Sequence, residues 1–159
     1  MSLISEWTPE LVSSWMGFAL DEASEAASDG EVPIGAVVVR GFEVVARGRN
    51  RTEERRSPVA HAELIALEAA SARIGDWRLA GCVLVVTVEP CTMCAGALLL
   101  ARVEGIIFGT REPRTGALGS LYDVSLAVPE ATRPRVVGGV RESESRKLLH
   151  SFFEGIRSD

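Results

Sequence analysis

The sequence predicts a three-layer α/β/α fold on a five-stranded mixed sheet, with an antiparallel hairpin near its start and mostly parallel strands after it. Strand-like apolar runs alternate with helix-like periodic segments along most of the chain, which is typical of a sheet covered by helices on both faces. The 159 residues are 47% hydrophobic and 25% charged, which is enough apolar material for one substantial core. We therefore expect residues 1–159 to form a single domain.

The predicted elements begin with a helix, which a threonine and a proline introduce at Thr8-Pro9 and which Asp29-Gly30 ends. An apolar stripe runs along this helix, and the next helix is alanine-rich and periodic, as is typical of helices that pack on a sheet. In chain order, the nine predicted helices and strands are residues 9–28 (helix), 34–40 and 43–49 (strands), 60–74 (helix), 83–88 (strand), 91–101 (helix), 104–108 and 135–139 (strands) and 142–156 (helix).

The strands and the main loop each have their own signal. The first two strands flank Gly41-Phe42, which favours a hairpin turn. Residues 83–88 form a continuous apolar run, as expected for a strand buried on both faces. Residues 109–129 are rich in glycine, so we expect a long irregular loop with one short helix near residues 121–126. This segment is long enough to connect two parallel strands.

The charge distribution bears on the class of partner. A net charge of −5 speaks against a nucleic-acid partner, but residues 1–40 hold seven acids and one base, whereas the remainder holds 15 acids and 16 bases. The acidity therefore belongs mainly to the first helix, which could face away from RNA. We find no apolar run that could span a bilayer and no secretory signal, so we expect a cytoplasmic protein without membrane attachment.

Two short motifs carry most of the chemical information. His61-Ala62-Glu63 and Pro90-Cys91-Thr92-Met93-Cys94 offer three zinc-type ligands, His61, Cys91 and Cys94, and one carboxylate. Zinc held by three protein ligands keeps a fourth position for water, which is the arrangement of a catalytic site. The Glu63 carboxylate could then transfer protons to and from that water. An odd count of three cysteines favours metal binding over disulfides.

Other interpretations of these residues remain open at this point. The cysteine pair could be a redox pair or half of a structural zinc site, although Cys82 and His150 are poor candidates for a fourth ligand. Asn50, after the second strand, could bind a sugar hydroxyl or a base edge, or it could only form an Asx turn. An arginine-rich segment follows it, and it is either a phosphate-binding surface or a solvated loop; its candidate contacts are Arg51, Arg55 and Arg56.

The chain resembles the bacterial tRNA-specific adenosine deaminases of the cytidine-deaminase superfamily over nearly its whole length. The paired His-x-Glu and Pro-Cys-x-x-Cys motifs mark the superfamily. The resemblance also includes Glu31-Val32-Pro33-Ile34-Gly35-Ala36-Val37, Arg49-Asn50-Arg51 and Phe108-Gly109-Thr110-Arg111. Two further segments, Gly119-Ser120-Leu121 and Phe152-Phe153, point more narrowly to the tRNA enzymes.

The resemblance implies a role for each matching residue. It implies one zinc ion per chain, held by His61, Cys91 and Cys94, with Glu63 as the proton shuttle. The substrate contacts that it implies are Asn50, the backbone of Ala62, the pocket walls Val32, Pro33 and Ile34, the loop residue Glu112, and Phe153. Glu112 stands where the family commonly has aspartate, and the segment after Phe153 is less basic than in the family.

The resemblance also implies the reaction and the assembly. The expected activity is hydrolytic deamination of adenosine to inosine at the wobble position of a tRNA anticodon loop, by metal-activated water and a glutamate proton shuttle. The expected partners are a tRNA anticodon stem-loop and a second copy of the chain in a homodimer. The alternatives are a guanine or cytosine deaminase of the same superfamily that acts on small molecules, and a non-enzymatic protein that binds zinc and RNA.

Overall fold

The computed structural model describes residues 6–158. Residues 1–5 and 159 lie outside the described residues, so the expectation about a secretory signal falls partly outside them. The helices are α1 (Pro9–Ser28), α2 (Thr52–Arg55), α3 (Ala62–Ile74), α4 (Thr92–Leu100) and α5 (Glu142–Arg157), and the strands are β1 (Gly35–Arg40), β2 (Glu43–Arg49), β3 (Cys82–Val88), β4 (Gly105–Thr110) and β5 (Arg135–Val137). Within this part of the chain, no helix is long and apolar enough to cross a membrane.

The five strands form one mixed sheet in the order β2-β1-β3-β4-β5. Strand β1 is antiparallel to both β2 and β3, whereas β4 is parallel to both β3 and β5. The β1–β3 pairing is antiparallel because the hairpin reverses the chain at β2, and the crossover through α3 then keeps β3 in the direction of β2. The prediction of a five-stranded mixed sheet with an initial antiparallel hairpin is therefore confirmed.

Helices cover both faces of the sheet, which confirms the three-layer prediction. On one face, α1 packs its Trp15 and Met16 against alternate valines of β1 and β3, and α5 closes this layer. On the other face, α3 and α4 pack against the intervening residues of the same strands and against Phe108 of β4. Side chains of one strand alternate between the two faces, so the buried strands β1 and β3 are apolar on both.

One close backbone contact positions the start of α3. A Cβ atom added at Gly48 on β2 would lie 2.3 Å from the carbonyl oxygen of Ala62, the first residue of α3. Only glycine therefore allows the helix to begin directly over the strand. The consequence is that the His61–Glu63 motif is held against the sheet and not on a free loop.

The structure differs from the predictions at a few boundaries. Helix α4 begins at Thr92 with Cys91 as its N-cap, one residue later than the predicted start at residue 91. The expected short helix near residues 121–126 is a 3-10 helix at Val124–Ala127, because the Asp123 carboxylate accepts the Ser125 N–H and starts it later. Helix α2 was not predicted at all.

Candidate metal centre and active site

The three predicted zinc ligands come together where two helices begin. His61 is the N-cap of α3 and Cys91 is the N-cap of α4, while Cys94 lies buried in the first turn of α4. Neither His61 nor Cys91 has a side-chain capping hydrogen bond, and the candidate ligand atoms of both lie within 4.8 Å of Sγ of Cys94. Nδ1 of His61 lies 3.4 Å from Sγ of Cys94 and 3.7 Å from Sγ of Cys91.

This donor set fits a zinc ion. A tetrahedral zinc with ordinary zinc–nitrogen and zinc–sulfur bonds places its ligand atoms about 3.6 Å apart. The measured separations match that value, and the candidate ligand atoms of the three residues all lie within 4.8 Å of one another. Two thiolates would also balance the charge of the ion. These three residues could therefore hold a zinc ion, which confirms the predicted cofactor.

The two alternative fourth ligands lie elsewhere. Cys82 is buried at the first residue of β3, the opposite end of that strand from the metal centre, and burial raises the pKa of its thiol. His150 is exposed on α5, where its Nε2 lies 3.0 Å from the Glu154 carboxylate. Within residues 6–158, the cluster thus has three ligands, which suits a site that keeps one coordination position for water.

Without a metal ion, the cluster pairs one thiolate with the imidazole. A hydrogen bond from the Cys94 thiol, with a further contribution from His61, lowers the pKa of Cys91 to about 4 despite its partial burial. The same hydrogen bond and burial raise the pKa of Cys94, so its proton stays in place. The hydrogen bond to Cys91 in turn raises the pKa of His61. Binding of a metal cation at this site would therefore release protons from its ligands.

Glu63 is the second residue of α3 and is 4% exposed. Burial is the largest influence on its carboxyl group and raises its pKa, although a hydrogen bond with Cys94 and the charge of His61 act in the opposite direction. A carboxyl group with a raised pKa is better suited than an exposed one to take up a proton during a reaction and to release it again. The structure thus places a buried carboxyl group directly beside the metal ligands, and its role in proton transfer stays a prediction.

A cavity of about 250 Å³ opens beside Glu63. Its walls combine apolar side chains with an amide, a hydroxyl, an imidazole and a carboxyl group, and they are formed by Val32, Ile34, Asn50, Thr52, His61, Ala62 and Glu63. The Asn50 side chain accepts the Thr52 N–H at 3.3 Å and donates to the Val32 carbonyl at 3.4 Å. The Asx turn is therefore present, and it fixes the amide in the cavity wall.

Three of the other predicted substrate contacts are not among the residues that line this cavity. Pro33 is buried between the two neighbouring wall residues. The Glu112 carboxylate accepts the Arg114 N–H at 2.9 Å, in the loop after β4. Phe153 is exposed on α5, where its ring packs edge-on against Phe152 at 5.4 Å. Their roles remain predictions.

The arginine-rich segment divides into two parts. Arg47 and Arg49 pair with acids of the first helix and its end: Arg49 lies 3.5 Å from Glu22 and 3.2 Å from Asp29. Acids of the first helix and its end therefore neutralise part of the segment, while the expectation that this helix could face away from RNA stays a prediction. The three candidate phosphate contacts lie after β2. Arg51 is 3.4 Å from Glu54, and the side chains of Arg55 and Arg56 are exposed.

Sequence reasoning missed two buried glutamates that hold the segments around the site. Glu31 accepts the backbone N–H groups of Glu53 and Glu54, at 3.2 and 2.7 Å, and thereby caps α2. Glu89 accepts four hydrogen bonds from the loop after β4. Their only sequence signal is position, since Glu31 directly precedes a cavity residue and Glu89 lies between a buried strand and the Pro90-Cys91 motif.

Comparison with known families agrees with this geometry. Residues 9–110, which include all three ligands and Glu63, match the family described as the zinc-binding region of cytidine and deoxycytidylate deaminases. The tRNA-specific adenosine deaminase of Bacillus subtilis strain 168 is 42% identical over 143 residues, which cover 90% of this chain and 89% of that protein. The chain therefore belongs to the cytidine and deoxycytidylate deaminase family of zinc-binding proteins.

Three other relatives show which kinds of protein this deaminase is similar to. A solved structure of a tRNA:A34 deaminase, described as editing A to I at the wobble position of transfer RNA, is 40% identical with a TM-score of 0.78, covering 86% of this chain and 99% of that one. The tRNA(Ile)-lysidine synthase of Deinococcus radiodurans is 48% identical over 89% of this deaminase, which spans only 24% of that longer protein. A guanine deaminase structure from Nitrosomonas europaea is 27% identical with a TM-score of 0.76, over 88% and 83% of the two chains.

Proposed function

We propose that this deaminase converts adenosine to inosine at the wobble position of a tRNA anticodon loop. The observation that carries the proposal is the buried Glu63 carboxyl group beside three zinc ligands and a cavity of nucleoside size. The similarity to tRNA-specific adenosine deaminases over 90% of the chain supports adenosine in RNA as the substrate. Water and adenosine are consumed, and inosine and ammonia are formed.

The residues of the site have two separate roles, metal binding and proton transfer. His61, Cys91 and Cys94 would hold the zinc ion, which when bound supplies a Lewis acid that lowers the pKa of water. Glu63 accepts the proton from the attacking water and delivers it to the departing amino group, as its raised pKa allows. Burial of Glu63 excludes bulk water, so the proton remains available for the leaving group.

The cavity walls would bind the target nucleoside. Val32 and Ile34 offer apolar surfaces for the base, and Pro33 holds the backbone between them. The backbone of Ala62 and the amide of Asn50 are the polar groups that we assign to the base edge and the ribose. The remaining nucleotides of the loop would contact Glu112, Phe153 and the arginines after β2. A tRNA substrate implies that the protein works in the cytoplasm.

We also propose that the chain forms a homodimer. A groove of about 610 Å³ lies on the outer side of α3 and α4 and is largely apolar. We call this the α3–α4 surface; its exposed or half-buried apolar residues are Val59, Leu64, Ile65, Trp77 and Leu100. Leu100 is 75% exposed and lines the same groove as Val59 and Trp77, each 53% exposed, and such clustered apolar exposure is typical of interaction surfaces. A second copy of the chain is the occupant that the family resemblance implies.

The second candidate function is deamination of a free base, since the guanine deaminase structure is nearly as similar in fold. One assay separates the candidates. The zinc-loaded protein is incubated in parallel with an anticodon stem-loop carrying adenosine at the wobble position, free adenosine, free guanine and free cytosine, and ammonia is measured. The proposal predicts release from the stem-loop only. Release from guanine or cytosine would assign the protein to small-molecule deaminases, and no release from any substrate would indicate a binding protein.

A further inference from the structure

The side chain of Glu89 is completely buried, with 0% of its surface exposed. It follows β3 and precedes Cys91 by two residues, yet it neither lines the cavity nor belongs to the ligand cluster. A buried carboxylate is costly unless several donors surround it. The proton transfer assigned to Glu63 does not use it, so its presence needs another explanation.

Hydrogen-bond donors from one loop converge on this carboxylate. One oxygen of Glu89 accepts the backbone N–H groups of Leu118 and Ser120, at 3.0 and 3.1 Å. The other oxygen accepts the N–H of Glu112 at 3.3 Å and the Ser120 hydroxyl. These four hydrogen bonds offset the cost of burying the carboxylate. The carboxylate therefore acts as the centre around which residues 112–120 fold.

The loop leaves no spare room around Glu89. A Cβ atom at Gly116 would lie 2.5 Å from the Glu89 carboxylate and 2.5 Å from the carbonyl oxygen of Glu112. Such a close approach is possible only for glycine. The loop is thus closed tightly over the charged group, and its path depends on that group being there.

The same loop is attached to the segment that carries the metal ligands. The N–H of Ala117 donates to the carbonyl of Pro90 at 2.9 Å, and Gly116 forms a bridge with Cys91. At the far end of the loop, the Tyr122 hydroxyl bonds to the hydroxyl of Thr92, the residue after Cys91. Glu89 therefore sets the position of this loop relative to the metal centre.

The outer side of the loop is well suited to single-stranded RNA. The ring of Tyr122 is 44% exposed beside the metal-ligand segment, and the side chains of Arg111 and Arg114 are also exposed. The cavity has room for one nucleoside, so the neighbouring nucleotides must lie on surfaces around it. Aromatic rings that stack with bases and arginines that bind phosphates are the usual elements of such surfaces.

We propose that Glu89 is a positioning residue for the substrate: it holds residues 112–122 as a preformed surface for the nucleotides that flank the target adenosine. The proposal rests on the proposed function, since it assumes an RNA substrate at the same site. Loss of the anchor should weaken RNA binding, while the chemistry at Glu63 continues once RNA is bound.

The test compares Glu89→Gln with wild type in the zinc-loaded protein. Glutamine keeps the shape but points an NH2 group at backbone N–H donors, so the loop loses part of its anchor. We expect KM for the stem-loop to rise about tenfold while kcat stays within about twofold and zinc content is unchanged. Ser120→Ala removes only one donor and should raise KM by about threefold. This milder variant keeps the test decisive if the first one folds poorly.

A structural measurement accompanies the kinetics. Hydrogen exchange of the Leu118 and Ser120 amides should be faster in Glu89→Gln, whereas Glu31→Gln, which removes the other buried anchor, should leave these two amides unchanged. An unchanged KM in both Glu89→Gln and Ser120→Ala, or a fall in kcat together with zinc loss, would overturn the proposal. If wild type does not deaminate the stem-loop, the proposed function fails, whereas the amide exchange still reports whether Glu89 anchors the loop.

Discussion

Nδ1 of His61 lies 3.4 Å from Sγ of Cys94, although 33 residues separate them in the chain. The contact exists because His61 immediately precedes α3 and Cys94 lies in the first turn of α4, and these two helices cover the same face of the sheet. Helix starts near the carboxyl ends of strands are the usual place for ligand sites in α/β folds. The metal centre is thus a direct product of the fold.

Removing any one ligand should abolish zinc binding. His61→Ala or Cys91→Ser leaves two protein ligands, which are too few to retain the ion against a chelator. We expect zinc measured by atomic absorption to fall from one ion per chain to a small fraction of that. The control is Cys82→Ala, a cysteine of β3 outside the cluster, which should keep full zinc content. Full zinc in Cys91→Ser would mean that the ligand assignment is wrong.

The zinc-stripped protein should have one unusually reactive thiol. The pKa of Cys91 is lowered to about 4, so its thiolate is present at neutral pH and is lost only as the pH falls through about 4. The pKa values of Cys82 and Cys94 are raised, so these thiols remain protonated. Alkylation by iodoacetamide at pH 6, followed by peptide mass spectrometry, should label Cys91 first.

Two controls make the thiol experiment specific. Adding zinc before the reagent should protect Cys91, because the ion occupies its sulfur. His61→Ala should raise the pKa of Cys91 and slow its alkylation at pH 6, since the imidazole helps to stabilise the thiolate. Equal labelling of all three cysteines, or labelling only above about pH 8, would contradict the described thiolate–imidazole pairing.

Salt dependence tests the arginines after β2. If Arg51, Arg55 and Arg56 contact phosphates, changing them to glutamine should weaken binding to the stem-loop and flatten its salt dependence. The expected loss of slope is about 0.7 for each phosphate contact with a single strand. The measurement is a titration of affinity against salt, and zinc content should remain unchanged.

The matched control for this titration is Arg47→Gln with Arg49→Gln. These two arginines lie on β2 and pair with acids of α1 and its end. Because the proposed phosphate contacts all follow β2, removing these two should leave the salt slope unchanged. The opposite result would be a flatter slope in the control and an unchanged slope in the triple variant. It would mean that RNA binds to β2 itself and not to the segment after β2.

The oligomeric state tests the α3–α4 surface. Leu100→Glu places a charge on this surface and should convert a dimer into a monomer, as measured by sedimentation velocity. Phe42→Glu is the matched control, since Phe42 is 85% exposed at the hairpin turn and is not among the residues that line this groove. A wild-type protein that is already monomeric, or a dimer that survives Leu100→Glu, would exclude this surface as the interface.

Local sequence patterns were sufficient for most of the fold. The Thr8 side chain accepts the Leu11 N–H at 3.2 Å, as its N-cap position predicted, and the hairpin turn at Gly41-Phe42 connects β1 and β2 as expected. The metal ligands were also predictable, because chemistry requires their residue types at a fixed spacing. Such features depend on residues that are close together in the chain.

Features that depend on distant residues were not predictable. Helix α2 exists because the Glu31 carboxylate, more than 20 residues earlier, accepts two of its backbone N–H groups. The pairing of Arg49 with Glu22 spans 27 residues and changed the interpretation of the arginine-rich segment. The role of Glu89 likewise depends on a loop 23 to 31 residues later. No local pattern signals these contacts.

The most direct test of the account concerns Glu63 and the reaction itself. Glu63→Gln preserves the size of the side chain but cannot carry the proton, so it should keep full zinc content and stem-loop affinity while losing about 10²–10⁴-fold in rate. The measurement is inosine at the wobble position, quantified by mass spectrometry of nucleosides after incubation with wild type or variant. We predict inosine with wild type and almost none with Glu63→Gln over the same time. Equal inosine from both proteins, or none from zinc-loaded wild type, would contradict the account.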